Sequence, residues 1–220
     1  MRKRTYLSET HRKYSEACQR EVEEMSKHPL SHEELREQMR RNRKASLEAS
    51  KFIFLDLDGC LNTSGNQASR RENGLPLKDA YGPFFDPSST RNLATVLKAE
   101  PSSKIVLLSS WNYEGFGKMK GLWLRRFLPG FVIDMTGRAQ GLDGSDGKAL
   151  ETDPHPQARA IEVRSWLRDN GVAHRPFVIL DEKADYGDDL NPHVVPVDPA
   201  TGLTDTAADR VISLLKSSAD

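Results

Sequence analysis

Cysteine is scarce in this chain of 220 residues: Cys18 and Cys60 are the two. They stand in no metal-ligating spacing and make no disulfide framework, so a reducing, cytoplasmic setting is expected. Long apolar runs are lacking as well, and nothing approaches the ~20 residues that span a bilayer. The basic start Met1-Arg2-Lys3-Arg4 is followed by no apolar stretch, unlike a secretory signal. Glu9, Glu16, Glu21, Glu23 and Glu24 argue against a mitochondrial transit peptide, which is poor in acids. An excess of either charge is missing too: 32 Lys and Arg balance 32 Asp and Glu. No global field therefore steers the chain toward nucleic acid or membrane. The six histidines show no ligand spacing.

What is present is unevenly placed. Residues 1–50 are dense in Arg, Lys and Glu and read as a charged helical extension. One helix is expected over 8–27, stopped by Pro29. A second opens at Ser31-His32-Glu33-Glu34, a capping box in which Glu34 reaches back to Ser31, and runs to about Glu48. Its apolar residues, Leu35, Met39 and Leu47, are sparse. Such an arm suits a partner protein or self-association. The run Arg40-Arg41-Asn42-Arg43-Lys44 reads as a solvated helix end or as a contact to nucleic-acid phosphates.

Residues 51–220 read as one α/β domain. Phe52-Ile53-Phe54-Leu55 is a buried strand that ends in Asp56-Leu57-Asp58-Gly59. Period two places both acids on one side, and Gly59 lets the chain leave sharply. Residues 62–86 read as an irregular flap with a small hairpin, too short for a cap domain. A helix follows over 88–99 on Leu93, Val96 and Leu97, then a strand over 104–108 ending at Ser109-Ser110-Trp111-Asn112. A helix over 118–128 carries Leu122, Trp123, Leu124 and Phe127, and a short strand covers 131–133. Residues 134–156 read as a mobile loop. An amphipathic helix over 157–170, with Ile161, Trp166 and Leu167, precedes Phe177-Val178-Ile179-Leu180 and its terminal acids Asp181, Glu182 and Asp185. Val194 to Val197 is an edge strand, because Pro196 cannot donate, and a helix over 205–217 closes the chain behind Thr204.

Unbroken apolar strands alternating with helices signify a parallel sheet covered on both faces. Right-handed crossovers bring all carboxyl ends to one edge, where ligands bind. Asp56, Asp58, Ser109, Asp181, Glu182 and Asp185 therefore converge. Buried acids are costly unless paired or holding a metal.

In order, spacing and strand context these motifs resemble the haloacid dehalogenase (HAD) superfamily. The finer texture is similar to the HAD domains of Swiss Army Knife RNA repair proteins. It lies in Leu-Asp-Leu-Asp-Gly-Cys-Leu-Asn, Leu-Ser-Ser-Trp, Arg-x-x-Glu-x-x-x-Trp-Leu, Val-Ile-Leu-Asp-Glu and Val-Asp-Pro-Ala-Thr-Gly-Leu-Thr. The resemblance covers about 51–215. It implies a Rossmann-like HAD fold with a minimal cap and an N-terminal helical extension. It also implies a phosphatase with Asp56 as nucleophile, Asp58 as acid and base, and Ser109 and nearby amides on the phosphoryl oxygens. Mg2+ would be held by Asp56, the carbonyl of Asp58, and Asp181, with Asp185 next. Arg159 stands where the family has a phosphate-neutralising Arg, and Lys148 is the alternative. Ser110, Trp111 and Asn112 would line the substrate side, although packing under the loop is the plainer reading of Trp111. The chain departs from the family at Asn112, often Arg, and at Glu182, commonly Asp. Cys60 reads as a small filler and Trp166 as core.

Three functions compete on the sequence alone. One is a Mg2+-dependent phosphatase acting on a phosphorylated RNA or DNA end or a nucleotide, which a short flap and an open site favour. Another is a small-metabolite phosphatase of the same chemistry. The third is a non-catalytic HAD scaffold with a helical partner-binding arm, against which the intact Asp56, Asp58, Ser109 and Asp181 count.

Overall fold

The computed structural model describes residues 31–108, 111, 114–137 and 156–217, together with Glu16. Glu16 is helical; the rest of the helix expected over 8–27 lies outside the described residues. The chain divides into two compact units, Met1–Ala45 and Ser46–Asp220. In the first, the Ser31 backbone N–H donates to Glu34 Oε2 at 2.9 Å and the Glu34 N–H donates to Ser31 Oγ at 3.3 Å. This capping box opens helix α1, His32–Glu48.

The second unit is built on a five-stranded sheet. In chain order the strands are β1 (Lys51–Leu55), β4 (Ser103–Leu107), β5 (Val132–Met135), β6 (Phe177–Asp181) and β7 (Val194–Pro196). Their order in the sheet is β5-β4-β1-β6-β7, and every pairing is parallel. β1 lies at the centre and β7, with Pro196, at an edge, as the strand chemistry requires. Helices α3 (Pro87–Ala99), α4 (Phe116–Arg125), α5 (Pro156–Asp169) and α6 (Asp205–Ser217) cover the sheet.

Side-chain parity decides which face each strand residue serves. Ile53 and Leu55 of β1, Ile105 and Leu107 of β4, and Val178 and Leu180 of β6 join one buried cluster with Val96, Trp123, Val211 and Leu215 from α3, α4 and α6. Phe52, Phe54, Val106, Phe177 and Ile179 join a second cluster with Ala160, Val163, Trp166 and Leu167 from α5. The apolar runs look unbroken because both faces are buried. The same parity directs the acids at the strand ends. Asp56 continues the row of Phe52 and Phe54, and Asp181 the row of Phe177 and Ile179, so both carboxylates turn toward the α5 side.

The flap is more ordered than an irregular stretch. It holds a helix, α2 (Ser64–Glu72), and a two-stranded hairpin of β2 (Lys78–Asp79) and β3 (Gly82–Pro83). Thr63 caps α2 by accepting the Asn66 N–H, and the Ser64 N–H donates to Pro199 O at 2.8 Å. None of its residues is buried, so no apolar face announces it. The hairpin is tied down by Arg126, whose Nε donates to Pro83 O at 2.9 Å and whose Nη1 donates to Asp79 at 3.1 Å.

Three apolar positions expected on buried helix faces need correction. α4 starts earlier and ends at Arg125, so Phe127 lies beyond it with φ 51° and is 91 % exposed. Leu124 is on the outer side of α4 and is exposed; the buried residues are Met119, Leu122 and Trp123. On α5, Ile161 is exposed while Val163, Trp166 and Leu167 are buried. Gly171, with φ 68°, follows α5 as its C-terminal stop.

Candidate active site

The site forms where β1 and β6 end side by side. The β1–β6 register pairs Leu55 with Leu180, and the Asp56 N–H donates to Leu180 O at 2.9 Å, one step past the strand. Asp56 is therefore fixed by the sheet itself. It is 3 % exposed and Asp181 is fully buried. The Leu57 N–H donates to Asp56 Oδ1 at 2.8 Å. On the other oxygen, Arg159 Nη2 lies 3.5 Å from Asp56 Oδ2.

Arg159 comes from the opening turns of α5, on the face to which parity directs Asp56. It is 1 % exposed. Burial works against its charge, but Asp56, Asp181 and Glu162 more than restore it, so the guanidinium stays ionised. Glu162, one turn along α5, accepts the Thr136 hydroxyl at 3.0 Å. Burial pushes the Asp56 carboxyl up to about 8; Arg159 opposes the rise and the Asp181 charge adds to it.

Asp181 accepts the Lys183 N–H at 3.0 Å on one oxygen and the Tyr186 hydroxyl on the other. Tyr186 is 1 % exposed. Burial, with the Asp181 charge, holds its phenol well above the ordinary range, so it remains a donor. Its segment is clamped to α5: Arg164 Nη2 donates to Tyr186 O at 3.1 Å and Arg164 Nε to Asp189 at 2.9 Å.

Asp58 lies beyond the strand, so the turn rather than the pleat directs it. The Leu61 and Asn62 N–H groups both donate to Leu57 O, at 3.0 and 2.8 Å. That one-turn curl brings Asn62 over Asp58, and Asn62 Nδ2 donates to Asp58 Oδ1 at 2.7 Å. Trp111 Nε1 donates to Asp58 Oδ2 at 2.7 Å. The Trp111 ring also leans on Phe85, centroids 6.3 Å apart. The indole thus packs under the loop and touches the second carboxylate at once.

Of the residues expected at the site, Asp56, Arg159 and Asp181 are gathered on the α5 side, with Asp58 and Trp111 beside them. Ser109, Ser110, Asn112 and Lys148 lie outside the described residues, as does most of the 134–156 loop. Asp185 does not join the other acids. It is exposed and accepts the Gly187 N–H at 3.1 Å, and the turn sends Tyr186 inward instead. Cys60 is buried and its thiol is pushed up, mainly by burial, which fits a filler. Asn62 and Tyr186 were not legible as site residues. A polar residue four or five places past an acid in a turn carries no periodic signal. Arg40 and Arg41 both approach Glu37, at 3.5 and 3.7 Å, so part of the basic run is answered within its own helix.

Residues 52–208 match the family model described as the HAD domain in Swiss Army Knife RNA repair proteins. The chain belongs to that family. No curated protein and no solved structure matches it. Membership makes residues 52–208 a HAD domain, and the HAD family is one of phosphatase-type hydrolases. HAD domains generally use Mg2+. Among the described residues no group of three or more His, Cys, Asp or Glu side chains could hold a metal. Mg2+ asks for less, taking one or two carboxylates with water and substrate oxygens. The buried, neighbouring carboxylates of Asp56 and Asp181 are of the kind that demand asks for, whereas Asp185 is exposed. Among the described residues no helix is long and apolar enough to cross a membrane.

Proposed function

We propose that this HAD domain is a Mg2+-dependent phosphatase that forms an aspartyl-phosphate on Asp56 and acts on a phosphorylated nucleic-acid end or a nucleotide. The observation that carries the reading is the buried Asp56 carboxylate, held by the β1–β6 ladder, 3.5 Å from Arg159 and beside Asp181. A nucleophile held rigidly has little entropy left to lose on attack. Arg159 is placed to offset phosphoryl charge as it approaches Asp56. Mg2+ held by Asp56, the Asp58 carbonyl and Asp181 would supply the charge that lets an anionic carboxylate meet an anionic phosphate. Asp58 protonates the departing oxygen and then takes a proton from the water that cleaves the acyl phosphate. The nucleic-acid assignment is supported by the family and by the short flap, one helix and one hairpin within 62–86.

The test is hydrolysis of an aryl phosphate with Mg2+, followed by a panel of 5′- and 3′-phosphorylated oligonucleotides, nucleotides and sugar phosphates. Asp56→Asn is expected to lower turnover at least about a thousandfold. Turnover retained in that variant overturns the mechanism. A preference for sugar phosphates overturns the substrate and favours the small-metabolite reading. No phosphate release across the panel leaves a scaffold.

A further inference from the structure

We propose that Trp111, Asn62 and Gln67 are positioning residues that clamp the Asp58 carboxyl group from both sides. The inference rests on the phosphatase reading, in which Asp58 is the proton donor. Asn62 Nδ2 donates to one oxygen and Trp111 Nε1 to the other, each at 2.7 Å. Asn62 turns its NH2 toward Asp58, which leaves its carbonyl facing away. That carbonyl then needs a donor, and Gln67 Nε2 supplies it at 3.1 Å. Gln67 stands on α2, so the flap helix is wired to the acid through two amides. Both oxygens keep a second lone pair, which leaves a place for the transferable proton.

The clamp matters for one step. An Asp56 oxygen bonds to phosphorus as the bond from phosphorus to the leaving oxygen breaks. The leaving oxygen keeps that electron pair and takes the proton from Asp58, which is left as a carboxylate facing two aimed donors. Misaligning Asp58 therefore harms esters whose leaving oxygen must be protonated and spares those whose oxygen departs as a stable anion. It leaves substrate binding alone, because the clamp faces Asp58. This reassigns the Trp111 indole N–H from substrate to acid.

The experiment compares an alkyl phosphate with 4-nitrophenyl phosphate in Trp111→Phe, Asn62→Ala and Gln67→Glu, with Mg2+ saturating. Both rates come from one preparation, so any loss of folded protein cancels in their ratio. The ratio of alkyl to aryl kcat is expected to fall at least about tenfold in Trp111→Phe and Asn62→Ala, within the range that general acids contribute. A smaller fall in the same direction is expected in Gln67→Glu, and KM is expected to hold. An unchanged ratio, or a rise in KM alone, overturns the clamp while leaving the phosphatase intact. A wild-type chain that hydrolyses neither these esters nor any phosphorylated oligonucleotide, nucleotide or sugar phosphate overturns the phosphatase reading and the clamp with it.

Discussion

The Arg159 guanidinium lies 3.5 Å from Asp56 Oδ2, with the side chains 1 % and 5 % exposed. Breaking a buried pair from one side leaves an uncompensated charge, at a cost of about 3 kcal/mol or more. Arg159→Met should therefore be destabilised at pH 8.5, where the Asp56 carboxyl, pushed higher once Arg159 is gone, must take up a proton to stay buried, and less at pH 6, where it already holds one. Adding Asp56→Asn should recover part of the loss at pH 8.5. Urea unfolding of the two single variants and the double variant gives the coupling, expected at about 1 kcal/mol or more. Strictly additive losses would contradict the pairing.

The raised Asp56 carboxyl makes stability depend on pH with a definite sign. Its folded value is about 8 against an ordinary 3.8. Between those values the unfolded chain has lost the proton that the native state still holds, so stability falls as pH rises. The contribution is fully present below the unfolded value and is lost as pH passes through about 8. Without divalent cations, the Tm of the wild type should drop more steeply between pH 5.5 and 8.5 than that of Asp56→Asn, which has no such proton. Parallel curves would show that Asp56 titrates normally.

Much of the fold is readable in the chain because strands buried on both faces are continuous apolar runs. Phe52 to Leu55 and Phe177 to Leu180 announce themselves, and the acids that end them come next in the chain. What escapes is polar. α2 has no buried residue to mark its face, and only Thr63 signals its start. Phe127 looks like a core residue until the left-handed turn at the end of α4 carries it outward. At the site, spacing alone favours Asp185, but the turn after Asp181 admits Tyr186 instead. Turn geometry depends on pins such as Arg164 to Asp189, which link residues 25 apart in sequence.

Gly59 shows how tightly the turn after Asp58 is built. Its φ is 75°, and a Cβ there would stand 2.5 Å from Glu182 Oε2 and 3.0 Å from Glu182 Cβ. The left-handed conformation alone costs a non-glycine residue about 1–2 kcal/mol. Gly59→Ala should lose at least that much in urea unfolding. Glu182→Ala in the same chain should return only the part owed to crowding. Full recovery in the double variant would mean that the backbone conformation costs nothing.

Tyr186 offers a test of the Asp181 end of the site. Its hydroxyl is buried against an Asp181 oxygen, and the other oxygen already accepts the Lys183 N–H. Tyr186→Phe keeps the ring and removes the donor, leaving a fully buried carboxylate oxygen without it, at about 1–3 kcal/mol. If Asp181 helps hold Mg2+, the lost bond also frees it to turn away from the productive direction. Partners that orient a ligand typically contribute about 10- to 100-fold in metal affinity. The Mg2+ concentration for half-maximal turnover should rise by that order in Tyr186→Phe, while turnover at saturating Mg2+ changes much less. Removing Mg2+ with a chelator should abolish turnover in both proteins, and adding it back should restore both, the variant at higher concentration. A variant that loses turnover at every Mg2+ concentration with its half-saturation point unmoved would place Tyr186 in the reaction itself rather than behind Asp181.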